Sequence, residues 1–342
     1  MSRLARRGLG AAAGVLADRR LGEPRVEPHP VAAFGTVMAA VEDRLWADRH
    51  GPGVVHALAG VGIGAVAGHL VASTPLATYL AVAGHGLADA ARAVEARLVA
   101  GDLAGARALL PALAGRDPSL LDEAGLARAV VESVAENTVD AVVAPALWGA
   151  LLGGPGVLAH RAVNTMDAMV GHRSGRYRRY GTASARLDDA MAWVPARVTA
   201  GLVAAVRPGS ARAVLRAVRH DAPAHPSPNA GVAEAAFAAA LGLRLGGPLT
   251  YGSRPEVRPG LGDGRPPVTA DIDAAVRLAD HVGLALVAAL ATPALAALAG
   301  RARPGRTVLC RPRRDRPGPV DDERKDQGWG RRPGRQSRGA AS

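Results

Sequence analysis

The body of this chain has no lysine: among 342 residues the one lysine is Lys325, near the C-terminus. A lysine-bearing phosphate loop and a Schiff-base lysine are therefore excluded before that point. Cysteine is nearly absent too, and Cys310 alone can neither close an intramolecular disulfide nor build a thiolate metal site. Aromatic residues make up 3% of the chain against 49% hydrophobic residues, so Ala, Val, Leu and Gly supply the apolar surface. That palette suits close helix packing rather than a β-sandwich.

Charge is missing from three long stretches, 51–88, 141–159 and 282–300, none of which holds an Asp, Glu, Lys or Arg. A membrane-spanning helix needs about 20 apolar residues. Residues 51–88 accommodate one tilted span and a shorter intramembrane segment, with a break at Ser73, Thr74 and Pro75. The other two runs are each near the length of one span. Residues 8–17 and 198–206 are weaker candidates, the latter extending only if Arg197 snorkels. A soluble protein with buried Ala-rich helices is the alternative, but three separate runs fit a membrane protein better than one soluble core. The N-terminal run leads into DRRLGEPR rather than a small-residue cleavage site, so retention in the membrane is expected rather than export.

The net charge of +12 is unevenly placed. Residues 301–342 hold 13 basic and 5 acidic residues, which leaves 29 and 25 in residues 1–300. This Pro-, Gly- and Arg-rich tail reads as disordered. Its composition favours a solvated tail over one that binds anionic lipid or nucleic acid. The expected fold is all-α: a polytopic helical membrane protein with about four to five spans over residues 1–300, amphipathic juxtamembrane helices, and the basic tail. Residues 89–140 read as amphipathic helices lying over the membrane surface. The arginine-dense 160–197 segment reads as cytoplasmic, and 221–271 as ordered loops around one helix at 232–245.

Three polar clusters could carry chemistry. In VESVAENTVDAVVAP, Glu132, Glu136 and Asp140 fall at i, i+4 and i+8 on one helical face, with Asn137 beside them. Such a face repels itself and calls for a cation, whether Mg²⁺, an arginine or a substrate amine; a solvated surface face is the competing reading. The second cluster, RAVNTMDAMVGHRSGRYRRYGTASARLDDAMAWVPAR, offers Asn164, Asp167, His172, Arg176, Tyr177, Arg186, Asp188, Asp189 and Arg197. Its arginines could hold phosphate oxygens and its aspartates a divalent ion, or the segment could simply meet lipid phosphates. The third, HPSPNAG, sets His225, Ser227 and Asn229 in a proline-constrained loop that either shapes a site or ends a helix.

These stretches, with DRRLGEPRVEPHPVAAFG before them and LGDG after, resemble the adenosylcobinamide-phosphate synthases of cobalamin biosynthesis, the CobD/CbiB family. The resemblance covers most of residues 9–300 in the family's order. It departs from the family at GRDP, where GRDT is common, and around Asp140, where a small polar residue and Gly usually flank the aspartate. It implies a multi-pass inner-membrane enzyme with cytoplasmic active-site loops. The reaction implied is ATP- and Mg²⁺-dependent, joining the propionate carboxylate of adenosylcobyric acid to an aminopropanol or ethanolamine phosphate. Under that reading Glu132, Glu136, Asn137 and Asp140 are catalytic, with a glutamate taking the amine's proton. Asp167, Asp188 and Asp189 hold the metal. Asn164, His172, Arg176, Tyr177, Arg186, Arg197, Ser227 and Asn229 bind substrate or phosphate. The implied partners are the corrinoid, the amino-alcohol phosphate, membrane lipids and other late cobalamin enzymes, and no nucleic acid. A non-catalytic corrinoid transporter or scaffold is the rival reading, though a transporter would place its polar residues within broken spans.

Overall fold

The computed structural model describes residues 1–302 apart from Arg25, Arg116, Arg173, Gly252 and Ser253, with backbone alone at 248–251, 254–257 and 298–302. The tail reading therefore lies, beyond 302, outside the described residues. The chain opens with α1 (Arg3–Leu21), α2 (Pro30–Leu45), α3 (His50–Val71) and α4 (Thr74–Ala81). Proline stands in the first turn of α2 and of α4, where its missing N–H costs nothing. The break expected at Ser73 to Pro75 separates α3 from α4: Ala72 turns left-handed at φ 51°, and the Ser73 hydroxyl accepts from the Leu76 N–H.

Next come α5 (Gly84–Val99), α6 (Leu103–Leu109) and α7 (Glu123–Thr138). α5 buries one stripe, Ala91, Val94 and Leu98, as an amphipathic helix should. α7 does not lie over a surface. Its Leu126, Ala127, Val130, Val131 and Val134 are wholly buried, because later elements enclose it on several sides. The uncharged run 141–159 is also corrected. It is divided between a turn of π-helix (Val139–Val143), α8 (Ala144–Leu152) and α9 (Gly154–Val170), with Gly153 at φ 74° making the reversal. No single helix covers that run.

The remainder is α10 (Thr182–Val206), α11 (Ala211–His220), α12 (Ala230–Leu241), the strands β1 (Leu245–Tyr251) and β2 (Arg254–Leu261), and α13 (Asp271–Ala302). β1 and β2 pair antiparallel within a segment read from sequence as loops. The positive φ of Gly246 and Gly247, near an irregularity in the register, hides the alternation that marks a strand. Among the described residues three helices are long and apolar enough to cross a membrane, over His50–Val71, Thr182–Val206 and Asp271–Ala297. Val55, Leu58, Val66 and Leu70 lie exposed along α3, an outer face suited to lipid.

Small residues set the packing. Cβ atoms added at Gly60, Gly64 and Gly68 of α3 would run into Met166, the Leu158 carbonyl and the Gly154 carbonyl of α9, so the two backbones touch along a seam spaced by four residues. The largest apolar core gathers α7, α12, the first half of α13 and the second half of α10. Gly68→Ala is expected to lower stability by about 1–3 kcal/mol. Gly62→Ala, where a Cβ meets nothing, is expected to leave it unchanged or raise it. Thermal unfolding of the two purified variants in one detergent checks the contrast.

Candidate functional site

The site begins where α7 stops being an α-helix. Pro145 has no N–H for the carbonyl four residues back, and the Ala141 carbonyl accepts instead from the Ala83 N–H at 3.0 Å. The Ala144 N–H reaches the Val139 carbonyl, closing the wider turn. The turn directs Asp140 onto α9. There the Asn164 amide donates to Asp140 Oδ2 at 3.2 Å and to Asp188 Oδ1 of α10 at 3.5 Å, while its own oxygen accepts from Arg161 at 3.3 Å. One side chain thus ties three elements together.

The cluster is short of positive charge. Burial pushes the Asp140 carboxyl up to about 7, with Glu136 and Asp167 adding to the rise and Asn164 and Arg161 opposing it. Asp167 is raised by burial and by Asp189, against His172. His160, fully buried before Arg161, is pushed down to about 3 by burial and stays neutral. Arg161, one turn of α9 from Asn164, therefore supplies positive charge on this side of Asp140. Among the described residues no three His, Cys, Asp or Glu side chains converge to hold a metal unaided.

On its other side the segment opens into a polar cleft of about 190 Å³, lined by Glu136, Asn137, Asp140, Ser133, Arg258 and residues 113–115. Asn137 donates to the Ser133 carbonyl and hydroxyl at 2.9 and 3.1 Å, and that hydroxyl donates to the Leu113 carbonyl at 2.6 Å. Glu136 is exposed at this cleft. Glu132 is not. It is 1% exposed and accepts the Gly246 N–H at 2.8 Å, so the hairpin covers the first third of the predicted acidic face. A larger cavity of about 370 Å³ lies behind Val134 and Val142, lined by apolar side chains together with Arg19, Arg92, Arg277, Asp280 and Asp18, whose Oδ2 accepts the His85 N–H at 3.0 Å. Burial pushes Asp18 up to about 6.

Other predicted residues have local duties. Arg176 and the Tyr177 hydroxyl both donate to Glu42, at 3.0 and 2.9 Å, and Arg176 stacks on Trp46, with the His172 ring 6.2 Å from that of Tyr177. Ser227 caps the start of α12 by accepting from the Ala230 N–H. Asn229 latches that loop to α10, donating to the Asp189 carbonyl at 2.8 Å and accepting from Arg197 at 3.0 Å. Arg197 also covers the Trp193 ring. Arg186 is exposed on α10. The sequence reading singled out neither Arg161 nor Arg258. Arg161 could have been found, since it stands three residues before Asn164 on the same helical face; Arg258 arrives on a hairpin with no signal of its own.

Fold and site define a helical membrane protein with an acidic, arginine-edged polar site beside its apolar helices. The chain matches the family described as CobD/Cbib protein over residues 11–279, and it belongs to that family. It is 48% identical over 299 residues, 83% of this chain and 95% of the relative, to the cobalamin biosynthesis protein CobD of Mycobacterium tuberculosis (strain CDC 1551 / Oshkosh). It is 42% identical to that of Rhodobacter capsulatus (71% and 72% covered) and 40% identical to that of Geobacter metallireducens (75% and 86%). No solved structure matches the chain.

Asp140 binds its proton more tightly folded than unfolded, so its ionisation costs stability as pH rises from about 4 to about 7. Asp140→Asn is expected to be neutral below pH 4, increasingly stabilising between 4 and 7, and stabilising by a constant amount above 7. Melting temperatures of both proteins across that range are the check.

Proposed function

We propose that this chain makes an amide in cobalamin biosynthesis, joining the propionate carboxylate of adenosylcobyric acid to (R)-1-amino-2-propanol phosphate, or ethanolamine phosphate, with ATP. The observation that carries the reading is the Asp140–Asn164–Asp188 bridge beside Arg161 and next to the Glu136 cleft, in a chain of this family. Such a reaction needs charge stabilisation for a transferred phosphoryl group and a proton acceptor for an amine, and this cluster supplies groups of both kinds.

In the reading, the substrate carboxylate attacks the γ-phosphorus of ATP, giving an acyl phosphate and ADP. The amine then attacks the acyl carbon, the C–O bond to phosphate breaks, and inorganic phosphate leaves. Glu136, exposed in the polar cleft, accepts the proton the ammonium must lose. Asn164 holds Asp140 and Asp188 at a fixed separation, and Arg161 holds Asn164 in turn. Arg186 is exposed and available to a phosphate, whereas Arg176 and Arg197 are held by Glu42 and Asn229 and act through the loops they anchor. Mg²⁺ binds through one or two carboxylates plus substrate phosphates, so a cluster without three converging ligands still fits it. Asp140 and Asp188 would hold it, with Asp167 and Asp189 adjacent, and it would neutralise phosphate charge. The proposed setting is the cell membrane, with the 171–181 loop at the cytoplasmic face, as its arginines favour.

Membranes containing the protein, given adenosylcobyric acid, aminopropanol phosphate and Mg-ATP, are expected to form adenosylcobinamide phosphate. Glu136→Gln and Asp140→Asn should each lower kcat by about 100-fold or more. Glu132→Gln should reduce the folded fraction but leave turnover per folded molecule within about threefold, because that carboxylate anchors the hairpin. Corrinoid binding without amide formation by the wild-type protein would replace this reading with a scaffold.

A further inference from the structure

α11 presents a face that the proposed reaction does not use. Arg212, Leu215, Arg216 and Arg219 occupy positions i, i+3, i+4 and i+7, so they share one side, and all four are exposed. Val214 and Ala217 on the opposite side enter the main core, which fixes the rotation of the helix. From 207 to 220 there are four arginines and no acidic residue. Asp221, which follows, is occupied by the Gly262 N–H at 2.9 Å. Among the described residues, Arg212, Arg216 and Arg219 pair with no carboxylate, unlike Arg19, Arg92, Arg97, Arg176, Arg179, Arg265 and Arg277.

A helix C-terminus favours the last-turn residues Arg219 and His220, but it gives no reason for Arg212 in the first turn, where positive charge opposes the dipole. Nor does solvation account for Leu215, 56% exposed between arginines. Guanidinium groups around an exposed aliphatic side chain match a surface with phosphates outside and hydrocarbon beneath. The position agrees, because α11 follows α10 after the short turn 207–210. Arginines flank α10 on both sides, Arg176, Arg178 and Arg179 before it and Arg207 to Arg219 after it, a pattern that suits lipid headgroups at its ends.

We propose that α11 is an interfacial helix whose Arg212, Arg216 and Arg219 bind anionic phospholipid headgroups while Leu215 enters the bilayer beneath them. An acidic protein or a nucleic acid would satisfy the arginines but would leave Leu215 unused.

The test is hydrogen–deuterium exchange of the full-length protein in nanodiscs of neutral phosphatidylcholine and in discs with anionic phosphatidylglycerol added. Exchange across 211–220 is expected to slow by about tenfold or more in the anionic discs, and raised salt should reverse the effect. Exchange across 230–241 should not change. The triple variant R212Q/R216Q/R219Q, with good helix formers on an exposed face, should lose the protection and keep its fold by circular dichroism. Equal exchange in the two lipids would overturn the proposal. So would protection that the triple variant retains, or protection that appears only on adding an acidic protein or nucleic acid.

Discussion

Crowding of carboxylates at the edge of an apolar helix bundle is the constraint on which the site depends. Asp140 and Asp188 share one amide nitrogen, and Glu136, Asp167 and Asp189 stand close enough to be felt. Two full charges at such a separation repel by about 2–3 kcal/mol at an effective dielectric near 20. Hydrogen bonds to a charged group return about 1.5–3 kcal/mol each. The Asn164 bridge and Arg161 therefore come near to balancing the repulsion without cancelling it, and burial, with Glu136 and Asp167, raises the Asp140 carboxyl further. A site in that condition is completed by a cation or by a ligand that brings donors.

The surrounding fold keeps this arrangement from relaxing. The glycine seam between α3 and α9 brings the backbones into contact, so α9 cannot rotate to take Asn164 elsewhere. Pro145 enforces the wide turn, and the Ala83 N–H takes the carbonyl that the turn releases. From the far side, Asn229 pins α10 at Asp189 and Arg197, close to Asp188. The HPSPNAG loop thus contributes through position: it fixes the helix that carries the carboxylates.

Much of this was legible in the residues themselves. Lack of charge located α3 and α13, Ser73 to Pro75 located the start of α4, and Asp167, Asp188 and Asp189 stood out because acidic residues gain nothing from anionic lipid. The failures share one cause. Glu132 looked like part of an open acidic face because the segment that covers it, at Gly246, is 114 residues away. α7 looked like a surface helix because α12 and α13, which enclose it, come later in the chain. The run 141–159 looked like one span because hydropathy does not register Gly153, where a positive φ reverses the chain. Local composition reports what a segment can tolerate; what covers it is decided by distant partners.

Asn164 holds Asp140 and Asp188 in mutual repulsion across the α9 bridge. A double-mutant cycle of Asp140→Asn and Asp188→Asn, read as unfolding free energy at pH 8, addresses it directly. Each single variant should be more stable than the wild type, and the double variant should gain less than the sum by about 1 kcal/mol or more. Strict additivity of the two changes would contradict the claim.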